Sequence, residues 1–505
     1  MSKKEVNKSV SEINRKIEEG NAVVVTAEEM VDIVDEKGKK GAAEEVDVVT
    51  TGTFGAMCSS GAWLNFGHAD PPIKLNKVWL NDVEAYAGGA AVDAYIGATA
   101  LSESERMEYG GGHVIEELVR GREIDLRGKG YGTDSYPRKE IETSLTIDDL
   151  NQAILSNPRN SYQKYNAATN SRNETIHTYM GTLLPNHGNI SFSGSGELSP
   201  LNNDPEYQTI GIGSRIFLGG GQGYIFQEGT QHSPKTGFGT IMTVGDLNDM
   251  SSDYIRGVSV RNYGVSLFVG IGIPIPVLNE DIAESTGISD EEIKTNIMDY
   301  GTPRREKPKI REVNYKELKS GKVEIGGEER PVSPMSSLSR AREISQQMKE
   351  QIQNGEFFLS KPARRLSRDD ELKPMKQTSP SPVAKQLMTS EVLTAKPPDS
   401  IKVAAEVFAE KGFDHLPVVN EENKVIGIVT SWDVAVALGN DKEKVEDILT
   451  SKVVTAEENE PVDSVARKLQ KHEISGMPVI DTEQHLKGII TSEDLSKLIR
   501  RGRIE

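Results

Sequence analysis

The chain has 505 residues, of which 36% are hydrophobic and 27% charged, and its formal net charge is −18. Such a length predicts about three folded units; no run of about 18 apolar residues is present, which excludes a helical membrane span, and the excess of 77 acidic over 59 basic residues repels phosphate backbones, so nucleic acid is not an expected partner. The single cysteine, Cys58, excludes an internal disulfide and a cysteine-built metal cage, and no metal site is predicted.

The opening MSKKEVNKSVSEINRKIEEG is charged throughout and lacks an apolar stretch, so it does not read as a secretory signal and a cytoplasmic protein is expected. Within it, Val6, Val10, Ile13 and Ile17 recur at helical spacing and predict an amphipathic helix. From Glu45 to about Ile275 glycine becomes dense and charge thins. Short apolar runs (VDVVTT, RIFLGG, VSLFVGIGIPIPV) end in turn residues there, the pattern of buried strands joined by loops. From Asp281 to about Gln377 charge and proline return; SSLSRAREISQQMKEQI predicts a serine-capped helix, and KPARRLSRDDELKPMKQTSPSP an exposed linker. The expected fold class is mixed α and β. A glycine-rich α+β domain covers residues 1–370, with its core at about 45–280, followed by a linker at 371–382 and two modules at 383–440 and 441–503.

The stretch TTGTFGAMCSSGAWLNFGHADPPIK, residues 50–74, is the best candidate for chemistry. A strand is expected to run into a glycine-rich turn that carries Cys58. A helix starting in Ser59–Leu64 would put the thiol at a helix N-terminus, where the dipole and free N–H groups favour thiolate. His68 and Asp70, ten and twelve residues further on, are candidate acid and base. The alternative is that Cys58 is a small buried hydrophobe; its Gly/Ser-rich setting favours the reactive reading. Downstream lie EYGGGHVIEELVRG, GYGTDSYPRKE, and His177 and His187 on loop-like stretches. FLGGGQGYIFQEGTQH lacks a Walker lysine, so through Gly220 and Gly221 it fits a loop cradling a small anionic substrate better than a nucleotide site. Arg138, Lys139 and Arg215 are candidate partners for a substrate carboxylate; ordinary surface ion pairs are the plainer reading.

The strongest internal signal is a repeat: residues 388–434 align without a gap on 449–495 at an offset of 61. HLPVVN matches GMPVID, and GIVTSWDV matches GIITSEDL. Each copy reads strand, helix, strand, strand, helix (βαββα), and neither covers both faces of its sheet, so the two should pack as a pseudo-symmetric pair. Thr430 with Asp433, and Thr491 with Asp494, set a hydroxyl and a carboxylate at a strand end. That spacing suits either a ribose diol or a plain helix N-cap. Pro417 and Pro478 would bring backbone groups to a base, His415 and Gly476 begin the same strands, and Thr394 and Thr455 line the mouth. These residues resemble tandem cystathionine-β-synthase-type (CBS) domain pairs over about 120 residues. The resemblance implies an adenosyl ligand: S-adenosylmethionine, methylthioadenosine, or an adenine nucleotide such as AMP or ATP. Sparse basic residues near the motifs (Lys424, Lys452, His472, Lys487) favour the sulfonium or thioether ligand over a triphosphate. No tightly bound cofactor is expected.

Taken together, TGTFGAMCSSGAWLNFGHADPPIK, GTDSYPRKE, PNHGNISFSGSGELSPLNNDP and GGGQGYIFQEGTQH resemble the archaeal homocysteine-biosynthesis proteins, the L-aspartate-semialdehyde sulfurtransferases. The likeness covers roughly residues 10–370 plus the C-terminal pair. It implies that Cys58 carries a persulfide, that sulfide and aspartate semialdehyde are the substrates, and that a small ferredoxin-like iron–sulfur partner protein takes part. CBS pairs also imply a homodimer. Members of the family often have a cysteine where this chain has Ser135, so a route through an internal disulfide is closed here and the electrons must come from outside. The competing reading is a non-catalytic, adenosyl-ligand-sensing regulator. An enzyme like IMP dehydrogenase, which also combines CBS modules with a catalytic cysteine, is disfavoured because the pair is appended and no βα barrel repeat surrounds Cys58.

Overall fold

The computed structural model describes residues 6–161, 163–376, 381–440 and 442–501, with side chains as far as Lys497. The chain forms two units, Met1–Gly301 with Pro308–Pro374, and Thr302–Lys307 with Met375–Glu505. Of the expected linker, residues 377–380 lie outside the described residues. Among the described residues no helix is long and apolar enough to cross a membrane.

In the first unit the amphipathic N-terminal segment is helical over Val10–Glu18. Ser9 and Glu12 close a capping box on its first turn, and Ile13 and Ile17 are buried. Strand Val24–Thr26 runs parallel to Val48–Thr50, which pairs antiparallel with Pro274–Pro276. Asp47, fully buried just before the second of these strands, accepts hydrogen bonds from Lys16 (2.7 Å), Lys8 (3.0 Å) and the Val23 N–H (3.0 Å). It ties the N-terminal helix to the sheet.

A fifteen-strand sheet dominates the unit. Strand Gly61–Asn65 pairs with Asp93–Gly97 on one side and Gln152–Asn160 on the other. The ladder continues through Ile241–Asp246, Gly221–Glu228 and Arg215–Leu218 to Gly264–Gly272, which pairs with Thr53–Ala56. Thr53–Ala56 and Gly61–Asn65 are consecutive in the chain, so hydrogen-bonded strands lead from one end of the 57–60 turn round to the other. Ala62, Leu64, Ala153, Leu155, Ile225, Leu267 and Val269 share one core with Val114, Ile115 and Leu118 of helix Gly111–Val119. The helix expected over Ser59–Leu64 is not formed. Ala62 and Leu64 are buried while Trp63 between them is exposed, the two-residue period of a strand, and sheet pairing on both edges decides the matter. A six-strand sheet with its own core (Ile190, Phe192, Ile297, Val313, Leu318, Val323) carries strands Ala167–Thr169 and Ile190–Phe192. Helix Leu338–Gln353 follows, capped by Ser337 as its sequence predicts.

The second unit holds the repeat. The first module has helix Ile401–Lys411, the antiparallel pair His415–Val419 and Val425–Thr430, and helix Ser431–Leu438. The second has helix Val462–Lys471, strands Gly476–Ile480 and Leu486–Thr491, and helix Ser492–Arg501. The strand expected at VLTA shrinks to a single bridge, Ala395 to Val418, whereas its counterpart Ala456–Glu457 pairs with Gly476–Ile480. His415 and Gly476, equivalent across the repeat, meet: a β-carbon on Gly476 would lie 3.1 Å from the His415 ring, and Ser475 Oγ lies 3.1 Å from His415 Nε2.

Burial alone would raise the Asp47 carboxyl, but the bonds from Lys16, the Val23 N–H and Lys8 outweigh it and hold it below the usual carboxylate range. A carboxyl held low in the fold stabilises above its unfolded pKa, and that contribution is lost as pH falls through the folded value. Asp47→Ala is expected to lower the unfolding free energy at neutral pH by about 2 kcal/mol, less than for a sealed pair because the Lys16 side chain is 41% exposed. Below about pH 4 the difference from the parent protein should shrink, as read by urea titrations across pH.

Candidate functional site

The four residues 57–60 are clamped by main-chain bonds to both flanks. Met57 N–H donates to Leu267 O at 2.7 Å, Ser60 N–H closes the turn on Met57 O at 2.9 Å, and Ala98 N–H donates to Ser60 O at 2.8 Å. Ser59 Oγ reaches Arg159 O at 3.3 Å. Cys58 sits on this turn half-buried. Ser266 Oγ donates to its sulfur at 3.2 Å, across 208 residues of sequence. Burial first, then the neighbouring Cys58 and Tyr179, hold the Tyr263 phenol above its usual range, so it remains a neutral O–H donor at neutral pH. The Tyr263 and Tyr179 rings lie 6.2 Å apart, and Tyr179 in turn pairs its hydroxyl with Tyr300 at 2.9 Å. Tyr179 sits at the tip of the hairpin Ile176–Thr178 and Gly181–Leu183, beside His177, whose Nδ1 lies 3.1 Å from Thr182 Oγ1.

A helix end does approach the site, though it belongs to a different segment from the one expected. Gly112, in the first turn of helix Gly111–Val119, presses on Ser266 so closely that a β-carbon there would lie 2.2 Å from Ser266 O. Ser266 is thus held between the positive end of this helix and the Cys58 sulfur. The GGG run of EYGGGHV is what permits that approach.

The other residues singled out from sequence are not gathered at Cys58. His68 and Asp70 are exposed beyond the far end of strand Gly61–Asn65, a separation of roughly 13 Å along the strand alone. His68 stacks on Tyr136 at 6.0 Å, and Arg138 is spent on the carbonyls of Asp70 (2.6 Å) and Pro71 (3.1 Å). Lys139 and Ser135 are exposed on the same side. Arg215 donates to Phe358 O at 3.3 Å. Gly220 and Gly221 form a hairpin turn filled by Ser251, Tyr254 and Asp249 rather than an open anion cradle. Local spacing places residues near one another along the chain but is silent on which end of a strand they occupy. Ser266 and Tyr263 escaped sequence reading because nothing in their own neighbourhood marks them; only the folding of a distant segment brings them to the sulfur, with Tyr179 beside Tyr263.

In the second unit Thr430 and Asp433 are joined reciprocally: Thr430 N–H and Oγ1 donate to Asp433 Oδ2 at 2.8 and 2.7 Å, and Asp433 N–H donates back at 3.2 Å. Thr491 and Asp494 repeat the arrangement at 3.0, 2.8 and 3.4 Å. Both pairs therefore cap helices, and each presents its hydroxyl and carboxylate together at a strand end. Pro417 and Pro478 lie opposite Ile428 and Ile489 on the adjoining strands. The two halves differ in finish. Thr394 is exposed, whereas the carbonyl of Thr455 accepts from buried Lys468 at 2.8 Å, itself paired with Glu460 at 2.8 Å.

Comparison with known proteins agrees with both halves of this description. The family described as "Homocysteine biosynthesis enzyme, sulfur-incorporation" matches residues 22–359, and the CBS domain matches 384–440 and 445–501. The chain is 54% identical over 497 residues to the L-aspartate semialdehyde sulfurtransferase of Methanosarcina acetivorans, covering 98% of this chain and 99% of that one. It is 53% identical over 508 residues to the protein of the same name from Methanocaldococcus jannaschii, with the same coverage. A solved CBS domain pair in complex with methylthioadenosine and S-adenosylmethionine is 43% identical, covers 24% of this chain and 99% of its own, and superposes with a TM-score of 0.24. The chain belongs to the sulfur-incorporating homocysteine-biosynthesis enzyme family and carries a C-terminal pair of CBS domains.

Proposed function

We propose that this protein transfers sulfur to the aldehyde carbon of L-aspartate semialdehyde through a persulfide on Cys58, and that its CBS pair binds an adenosyl ligand. The observation that carries the reading is the setting of the chain's one thiol: half-exposed on a clamped turn, hydrogen-bonded by Ser266, beside the neutral phenol of Tyr263. A persulfide is a better nucleophile at neutral pH than the parent thiol. Its attack on the aldehyde forms the new carbon–sulfur bond and leaves an oxyanion, to which a phenolic O–H can donate. The full names of the two long relatives support the choice of substrate.

The electrons balance only with an outside reductant. Joining sulfide to Cys58 as a persulfide passes two electrons and two protons out, the electrons to an oxidised iron–sulfur partner protein, and cleaving the sulfur–sulfur bond after carbon–sulfur bond formation takes two electrons back from it. Replacing the remaining hydroxyl on carbon by hydrogen takes two more, with two protons, and releases water. The net reaction is one aldehyde, one hydrogen sulfide, two electrons and two protons giving homocysteine and water. With Cys58 the sole cysteine and serine at position 135, no internal dithiol supplies those electrons. A small ferredoxin-like iron–sulfur protein is the donor in this reading.

For the CBS pair, the Thr–Asp couples offer a hydroxyl and a carboxylate to a ribose diol in each half; in the second half Lys497 Nζ also lies 3.4 Å from Asp494 Oδ1. S-adenosylmethionine or methylthioadenosine is the favoured ligand, a product of the same metabolic branch as homocysteine.

Cys58→Ser should cut homocysteine formation about a thousand-fold or more with an unchanged melting temperature; retained turnover would remove Cys58 from the mechanism. Ser266→Ala should slow alkylation of Cys58 by iodoacetamide about five-fold, the worth of one hydrogen bond to the sulfur, and an unaltered rate would deny Ser266 that role. Asp433→Asn and Asp494→Asn should each weaken S-adenosylmethionine binding about ten-fold in calorimetry. If neither does, these carboxylates serve the helices alone.

A further inference from the structure

The turn that carries Cys58 backs onto a cavity of about 20 Å³, room for one molecule the size of water. Thr53, Ser161, Ser193, Ser199, Ser336 and Tyr315 line it, and Met57, the residue before Cys58, forms part of its wall. Several of these groups are already engaged within the protein. Ser336 Oγ accepts from Gly194 N–H at 3.1 Å, Ser199 Oγ from Ser195 N–H at 3.0 Å, and Tyr315 donates to Ser193 O at 2.7 Å. Ser161 is not. It is 4% exposed, its backbone is held at φ 47°, and its Oγ has no partner.

The surroundings repeat the pattern. Strand Gln152–Asn160 bulges between Asn157 and Asn160 where it passes the Cys58 turn, and bulges of this kind re-aim side chains beside functional sites. Asn157 Nδ2 and Oδ1, Asn160 Nδ2, Ser60 Oγ and Thr243 Oγ1 are all buried there without partners. Asn157 stands opposite Thr243, and Ser60 precedes Gly61, which stands opposite Ser156, so the register brings these groups together across three strands. Each such group costs roughly 1–3 kcal/mol if left bare, which favours a small polar partner for them. These neighbouring groups lie outside the cavity, whose own lining holds hydroxyls and no carboxylate. Among those hydroxyls Ser161 Oγ is buried without a partner, and a small hydroxyl-lined space beside the Cys58 turn suits a small sulfur anion.

We propose that this cavity is the sulfide subsite, holding hydrosulfide next to Met57 for use at Cys58. The proposal rests on the reading of Cys58 as sulfur carrier and concerns binding alone; no bond is made or broken in the cavity. An amino-acid aldehyde is far too large for it, so the two substrates occupy separate places and the sulfur source can be screened by size. Bromide, a monoanion close in size to hydrosulfide, is the probe.

Crystals of the full-length protein soaked in bromide should show an anomalous peak in the cavity. In solution bromide should compete with sulfide and not with aspartate semialdehyde. Ser161→Ala should raise KM for sulfide about five-fold with KM for aspartate semialdehyde unchanged. Ser161→Asn, which tolerates the positive φ and fills the space, should abolish the peak. Water alone in the cavity at saturating bromide, a bromide peak without competition against sulfide (an adventitious ion only), or equal shifts in both KM values would each overturn the proposal. The bromide peak is also read in Cys58→Ser protein, so the subsite stands or falls separately from the catalytic role of Cys58.

Discussion

Residues 57–60 are fastened by main-chain hydrogen bonds to Leu267 on one flank and Ala98 on the other, and the ladder of strands running between those flanks encloses a single apolar core. That double fastening is the constraint on which the proposed chemistry rests. A cysteine on a free loop would sample many positions relative to Ser266 and Tyr263. Here the register between Thr53–Ala56 and Gly264–Gly272 places Cys58 opposite Ser266 whenever the sheet is formed. The stability of the core, through this register, becomes the precision of the site.

The same sheet explains why the surroundings of the sulfur are polar while the rest of its inner face is not. Ala62, Leu64, Ala153 and Leu155 carry the core toward one end of their strands. At the other end Ser60, Asn157 and Thr243 take the same inward positions. Polar groups buried on a sheet face beside the thiol are costly for folding alone, as expected of positions kept for function.

The two units divide the work along chemical lines. The first holds a thiol bonded by the Ser266 hydroxyl, and the second presents paired hydroxyl and carboxylate groups at two strand ends. Both Thr–Asp couples also cap the helices they precede, so in the proposed reading the residues that hold those helices in place are the ones that meet the ligand.

Much of this was legible in the sequence. The repeat at an offset of 61 read correctly because every position is checked against its counterpart, and a period of two or of 3.6 shows in both copies. Cys58 stood out as the one thiol in a Gly/Ser-rich turn. The strands at VDVVTT, RIFLGG and VSLFVGIGIPIPV and the Ser337-capped helix followed from burial pattern and capping chemistry. What local pattern misjudged was the segment after Cys58, where five residues are too few to separate strand from helix, and the whereabouts of His68, Asp70 and Arg138, which a strand carries away from the sulfur. By itself, then, the sequence determined the two-part organisation, the repeated module and the one thiol on which the proposed chemistry centres. The partners of that atom, Ser266, Tyr263 and the bulged strand at Asn157–Asn160, were decided only in three dimensions, because contacts between strands far apart in the chain are set by which registers bury a common core, and no short stretch of sequence contains that information.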